Sequence, residues 1–93
     1  MKAVWNDTIL AESPDTVVVE NNHYFPPESV NMKFLRKSGG QYTCPWKGVC
    51  DYYTISVGGT ENIDAAWMYP NPKPAAKEIS GRFAFWKGVE ITK

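Results

Sequence analysis

Apolar and polar residues alternate along this chain in short runs, each broken by Asn, Asp, Gly or Pro. A period of two over so few residues marks half-buried strands rather than helices. Ala3 to Trp5 and Thr8 to Ala11 flank Asn6-Asp7, a pair that tolerates positive φ and predicts a tight hairpin. Ser13-Pro14-Asp15 is a second turn signal, and the β-branched run from Thr16 to Glu20 favours a strand. Asn21-Asn22 then predicts a turn into His23-Tyr24-Phe25, which Pro26-Pro27 stops. Glu28 to Lys37 mixes both periods and reads as a turn of helix followed by extended chain.

Ser38-Gly39-Gly40 reads as the opening of a loop that carries Tyr42-Thr43-Cys44-Pro45-Trp46-Lys47-Gly48. Val49 to Val57 gives the clearest strand, with Tyr53, Ile55 and Val57 on one face and Cys50, Tyr52, Thr54 and Ser56 on the other. Gly58-Gly59 turns it toward an antiparallel partner from Asn62 to Tyr69, with Ile63, Ala65, Trp67 and Tyr69 expected on one face. Three prolines in Pro70 to Pro74 lack amide donors and end the ladder, and Ala75 to Ile79 fits one helical turn with Pro74 at its first position. Arg82 to Trp86 and Val89 to Thr92 read as a last hairpin around Lys87-Gly88. The expected fold is therefore mainly β: one domain over residues 1–93, a small sandwich or partly open barrel. It would hold about seven short, mostly antiparallel strands and one or two helical turns.

Composition adds limits. At 93 residues the chain suits one domain, and 14% aromatic residues let a few rings supply much of the buried area. Ten basic residues balance ten acidic ones, so no overall charge draws the protein to nucleic acid or to an anionic membrane. No apolar run approaches the ~20 residues of a spanning helix, and the first residues lack a signal-peptide core. A cytoplasmic protein is expected, monomeric or weakly homodimeric. Cys44 and Cys50 are expected as two free thiols.

Several chemistries lack their residues. Two cysteines in a C-x5-C spacing and the single His23 do not make a structural zinc site, so no metal is expected. Gly39-Gly40 and Gly58-Gly59 lack the arrangement of a phosphate loop, no G-x-S-x-G elbow is present, and no cofactor is expected. Three segments combine turn residues, rings and polar groups beyond the needs of a plain β core. These are Glu20 to Pro26, Cys44 to Gly48 with Tyr52-Tyr53 after it, and Ala65 to Pro70 with Pro72 after it.

Those segments resemble the microbial family known as domain of unknown function 427. The resemblance runs from the Trp5 to Ser13 hairpin through E-x-x-x-Y-F-P (Glu20 to Pro26), C-P-W-K-G, Y-Y and A-A-W-x-Y-x-x-P, to G-R-F-A-F (Gly81 to Phe85). It implies a compact, mainly β single domain and no established activity. A nucleotidyltransferase label used for the family finds no support, because no Gly-Ser loop leads to paired aspartates, and Asp51 and Asp64 stand apart.

Each residue also has a plain structural reading. Trp67 suits a core strand, Tyr52 and Tyr69 a rim, Glu20 a solvated strand end, and Cys44 a small buried apolar residue. The leading functional reading is a domain binding a small molecule or peptide, with the C-P-W-K-G loop at the mouth of a pocket. Glu20, Tyr24, Trp46, Lys47, Tyr52, Trp67 and Tyr69 would supply its apolar walls and polar groups. A second reading is an enzyme using Cys44 as nucleophile or redox thiol, its pKa lowered by the nearby Lys47. A third is a protein–protein interaction module whose exposed rings dock a partner.

Overall fold

Three two-residue turns set most of the strand pairing. Asn6-Asp7 (φ 52° and 57°), Glu20-Asn21 (53° and 65°) and Gly58-Gly59 (57° and 82°) all hold positive φ at both central positions. That is the requirement of the type I′ turn, whose twist matches that of the strands it joins. In the computed structural model, which describes residues 1–93, these turns connect β1 (Lys2–Trp5) to β2 (Thr8–Glu12) and β3 (Val17–Val19) to β4 (Asn22–Tyr24). The third links β6 (Gly48–Val57) to β7 (Thr60–Met68), while β5 (Leu35–Cys44) reaches β6 through Pro45-Trp46-Lys47. β8 (Phe83–Phe85) and β9 (Glu90–Thr92) complete nine strands rather than about seven. The helical turns are three short 3₁₀ segments rather than one or two, at Pro27–Ser29, Met32–Phe34 and Pro74–Ile79, in the stretches before Lys37 and from Pro74 where turns are expected.

The strands form a three-stranded sheet β2-β1-β9, a four-stranded sheet β5-β6-β7-β8 and the β3-β4 hairpin, and all their pairings are antiparallel. β6 and β7 are neighbours, as their alternation predicts. The three-stranded sheet packs on one face of the four-stranded sheet. Between them lies the main core, with Leu10, Phe25, Ile55, Phe83 and Phe85 at its centre. The hairpin lies over the opposite face. Phe25 and Phe83 exchange both backbone hydrogen bonds (2.8 and 2.9 Å), so the end of β4 continues the sheet past β8. From there Val17, Val19 and Tyr24 pack against Cys44, Cys50, Tyr69 and Ile79 in a second, smaller cluster. The result is a small sandwich with a cap, and its sheets do not close into a barrel. No helix is long and apolar enough to cross a membrane.

Four local expectations are corrected. The first turn residue is Glu20 rather than Asn21, since Val19 pairs with Asn22. Ser38-Gly39-Gly40 does not open a loop but forms a bulge within β5, where Lys37 pairs with Tyr53 and Gln41 with Asp51. Its three residues face Tyr52 alone, with Gly39 at φ 89° and the Ser38 hydroxyl 2.9 Å from that of Thr54. On β7, Asp64 takes φ 58° and breaks the expected row from Ile63 to Tyr69. Ala65 enters the main core beside Ala66, while Trp67 and Tyr69 face the hairpin. Finally, β8 and β9 do not form a hairpin. β8 pairs with β7 and β9 with β1, so Lys87-Gly88 carries the chain from one sheet to the other.

Candidate functional site

Strand register builds one side of a hollow. Tyr42 pairs with Cys50 and Tyr52 with Trp67, and Tyr69 follows two residues after Trp67 on the same face. Tyr42, Cys50, Tyr52, Trp67 and Tyr69 therefore line one surface of the four-stranded sheet. Asn22 from the hairpin, Trp86 from beyond β8 and Lys47 from the β5–β6 turn complete the walls. The hollow has a volume of about 250 Å³ and is mostly apolar, like a site for a small molecule.

The rings are fixed by one another and by the backbone. Tyr52 and Trp86 lie nearly parallel, with centroids 6.2 Å apart, and Trp67 meets Trp86 edge-on at 5.7 Å. The Trp67 indole N–H donates to the Tyr24 hydroxyl at 3.1 Å, and that of Trp86 donates to the Asp64 carbonyl at 2.6 Å. Tyr24 is fully buried under Trp67, so it supports the wall rather than lining it. The bulge at Asp64 is thus part of the site: it exposes the carbonyl that holds Trp86.

Lys47 supplies the one formal charge on the wall. Its side chain is only 9% exposed, and its ammonium pairs with the Glu20 carboxylate. It also lies 5.4 Å from the centre of the Trp46 ring and 5.6 Å from that of Tyr69, within reach of both ring faces. The C-P-W-K-G residues reach this geometry through Gly48, whose φ of 108° suits glycine. The proline-rich segment clamps the turn, because the Lys73 amide donates to the Lys47 carbonyl (2.9 Å) and the Lys73 ammonium to the Pro45 carbonyl (2.6 Å).

Electrostatics follow from this packing. Burial opposes the Lys47 charge, but the Glu20 carboxylate outweighs it and holds the pKa above the usual lysine value. The hydrogen bond from Lys47 lowers the pKa of Glu20. Burial pushes the Cys50 thiol and the Tyr52 and Tyr69 hydroxyls upward, Tyr69 most strongly, so all three stay protonated at neutral pH.

Of the residues selected from sequence, Lys47, Tyr52, Trp67 and Tyr69 line the hollow. Glu20 and Trp46 border it through Lys47, and Tyr24 lies behind it. Cys44 ends β5, buried in the small cluster beside Cys50 and Tyr69, and is not itself part of the lining. The thiol on the wall is that of Cys50, and both cysteines are unpaired. Sequence reasoning missed Asn22, Tyr42, Cys50 and Trp86. The alternation of Tyr52 with Cys50 was a usable signal for Cys50, whereas the place of Trp86 depends on β8 pairing with β7.

A family model described as Domain of unknown function (DUF427) matches residues 1–92. The chain belongs to the DUF427 family. No curated protein matches it. Within this DUF427 domain, the C-P-W-K-G turn and the A-A-W-x-Y strand meet across the hollow, while the E-x-x-x-Y-F-P segment borders it through Glu20 on Lys47 and backs it through Tyr24 under Trp67.

Proposed function

We propose that this DUF427 domain binds a small planar organic molecule in the aromatic hollow. The observation that carries the reading is the convergence of Tyr52, Trp67 and Trp86 around an open volume of about 250 Å³ with an ammonium in its wall. Rings used only as core are covered on every side, as Phe25 and Phe85 are in the main core. Trp86 instead leaves 44% of its surface exposed while its N–H is tied down, which suits a stacking surface. The size favours one ring or a fused pair over an extended peptide. A reaction at Cys44 gains no support from its position, and the raised pKa of Cys50 works against a ready thiolate.

The test is a set of planar ring compounds titrated into ¹⁵N-labelled protein. Binding at the hollow moves the indole N–H signals of Trp67 and Trp86 while leaving Trp5 in place, and Tyr52→Ala abolishes the response. A ring set that moves none of these signals refutes the proposal.

A further inference from the structure

The wall of the hollow is rich in donors and contains no carboxylate. Its polar groups are the Lys47 ammonium, the tyrosine hydroxyls, the Cys50 thiol and the Asn22 amide. The two indole N–H groups are already committed, to Tyr24 and to the Asp64 carbonyl. The acid that neutralises Lys47 lies outside: Glu20 is 53% exposed and sits at the tip of a hairpin, whereas Lys47 is enclosed. These partners are unequal in their access to water. Glu20 can turn into water and keep its charge solvated, but Lys47 has no such exit.

We propose that the ligand is a planar organic acid whose carboxylate takes the Lys47 ammonium in place of Glu20, while its ring lies against Tyr52, Trp67 and Trp86. This rests on the binding role proposed for the hollow and narrows it to a chemical class. A buried ammonium gains a charge-assisted bond from such a ligand, and the exchange conserves its ion pair. A ligand amine would meet Lys47 with no acid in the wall to offset it. The protonated Tyr52 hydroxyl adds a neutral donor suited to the same acceptor. Glu20 becomes an internal competitor, setting how strongly an acid must bind to enter.

A matched series tests this: naphthalene carrying a carboxylate, a carboxamide or an aminomethyl group, followed by the indole N–H signals of Trp67 and Trp86. The carboxylate should bind about tenfold more tightly than the amide, as one charge-assisted bond implies, and the amine most weakly. Lys47→Met should remove that preference while amide binding persists. Glu20→Gln should strengthen carboxylate binding several-fold and leave the amide unchanged. Lys87, whose ammonium lies 5.3 Å from the Trp86 ring, is the control, and Lys87→Met should keep the preference. A blocked dipeptide ending in phenylalanine separates two sources of the same chemistry, since tighter binding than the free acid assigns the site to a chain end. Equal binding of all three naphthalenes, or a preference lost in Lys87→Met and kept in Lys47→Met, overturns the acid. Binding of none overturns the hollow as a site.

Discussion

Lys47 and Glu20 illustrate how unevenly the two halves of one ion pair can be held. The lysine side chain is 9% exposed and the glutamate 53%. Removing the acid leaves an enclosed cation without its partner, whereas removing the base leaves an acid that water can solvate. Glu20→Ala should therefore destabilise the fold more than loss of the lysine charge does. Lys47→Met, which keeps the apolar stem, should change stability by less than about 1 kcal/mol. Urea melts of both variants at neutral pH check the order, and equal losses would contradict it. The pH dependence has a definite sign. Because Lys47 lowers the pKa of Glu20 below its ordinary 4.5, the bond contributes fully above that value and is lost as pH falls through the lowered pKa. The stability difference between wild type and Lys47→Met should hold steady between pH 4.5 and 10.5, shrink below that window as Glu20 gains a proton, and shrink above it as Lys47 loses one.

At the scale of elements, the hairpin turns were legible because φ > 0 narrows the choice of residues. Asn6-Asp7 and Gly58-Gly59 stand where their chemistry places them. Glu20 was not legible as a turn residue, since glutamate is a poor choice for positive φ and Asn21-Asn22 offered a better local match. The bulges escaped for a different reason. A period of two carries no mark of inserted residues, and the inserts at Ser38 to Gly40 and at Asp64 each add two, which breaks the row locally while the alternation resumes beyond them. Half of the hollow could be read directly as unusual segments. Of the remaining four, Asn22 lies within such a segment and Cys50 alternates with Tyr52, whereas Tyr42 and Trp86 depend on which strands pair, and that is a long-range outcome. The β5–β6 turn gives an element-scale prediction. An added Cβ at Gly48 would come no closer than 3.5 Å to another atom, so space is available, but φ 108° is unfavourable for any side chain. Gly48→Ala should cost about 1–2 kcal/mol, a backbone effect rather than a clash. It should also weaken ring binding by displacing Lys47. Denaturant melts and the indole N–H titration read the two effects separately, and an alanine variant as stable as wild type would refute the backbone account.

At the scale of the whole molecule, the two faces of one sheet carry different things. The face toward β1, β2 and β9 carries the larger core, and the face under the hairpin carries the smaller cluster and the hollow. The pairing of β1 with β9 adds a consequence in time. Lys2 lies opposite Thr92, so the three-stranded sheet joins residues from the two ends of the described chain. β5, β6 and β7 form by successive local turns, but β9 must find β1 across almost the whole length, and such closures come late in folding. Ile91 packs from β9 against the main core. If its contacts form after the rate-limiting step, Ile91→Ala, at a cost of about 1–2 kcal/mol for a partly buried side chain, should raise the unfolding rate roughly tenfold. The refolding rate should be nearly unchanged, and stopped-flow measurements across denaturant would resolve the two. A slowed refolding limb would instead place β9 in the nucleus. Late closure also means that during synthesis β1 and β2 wait with an open edge, exposed to pairing with other chains until β9 has been made.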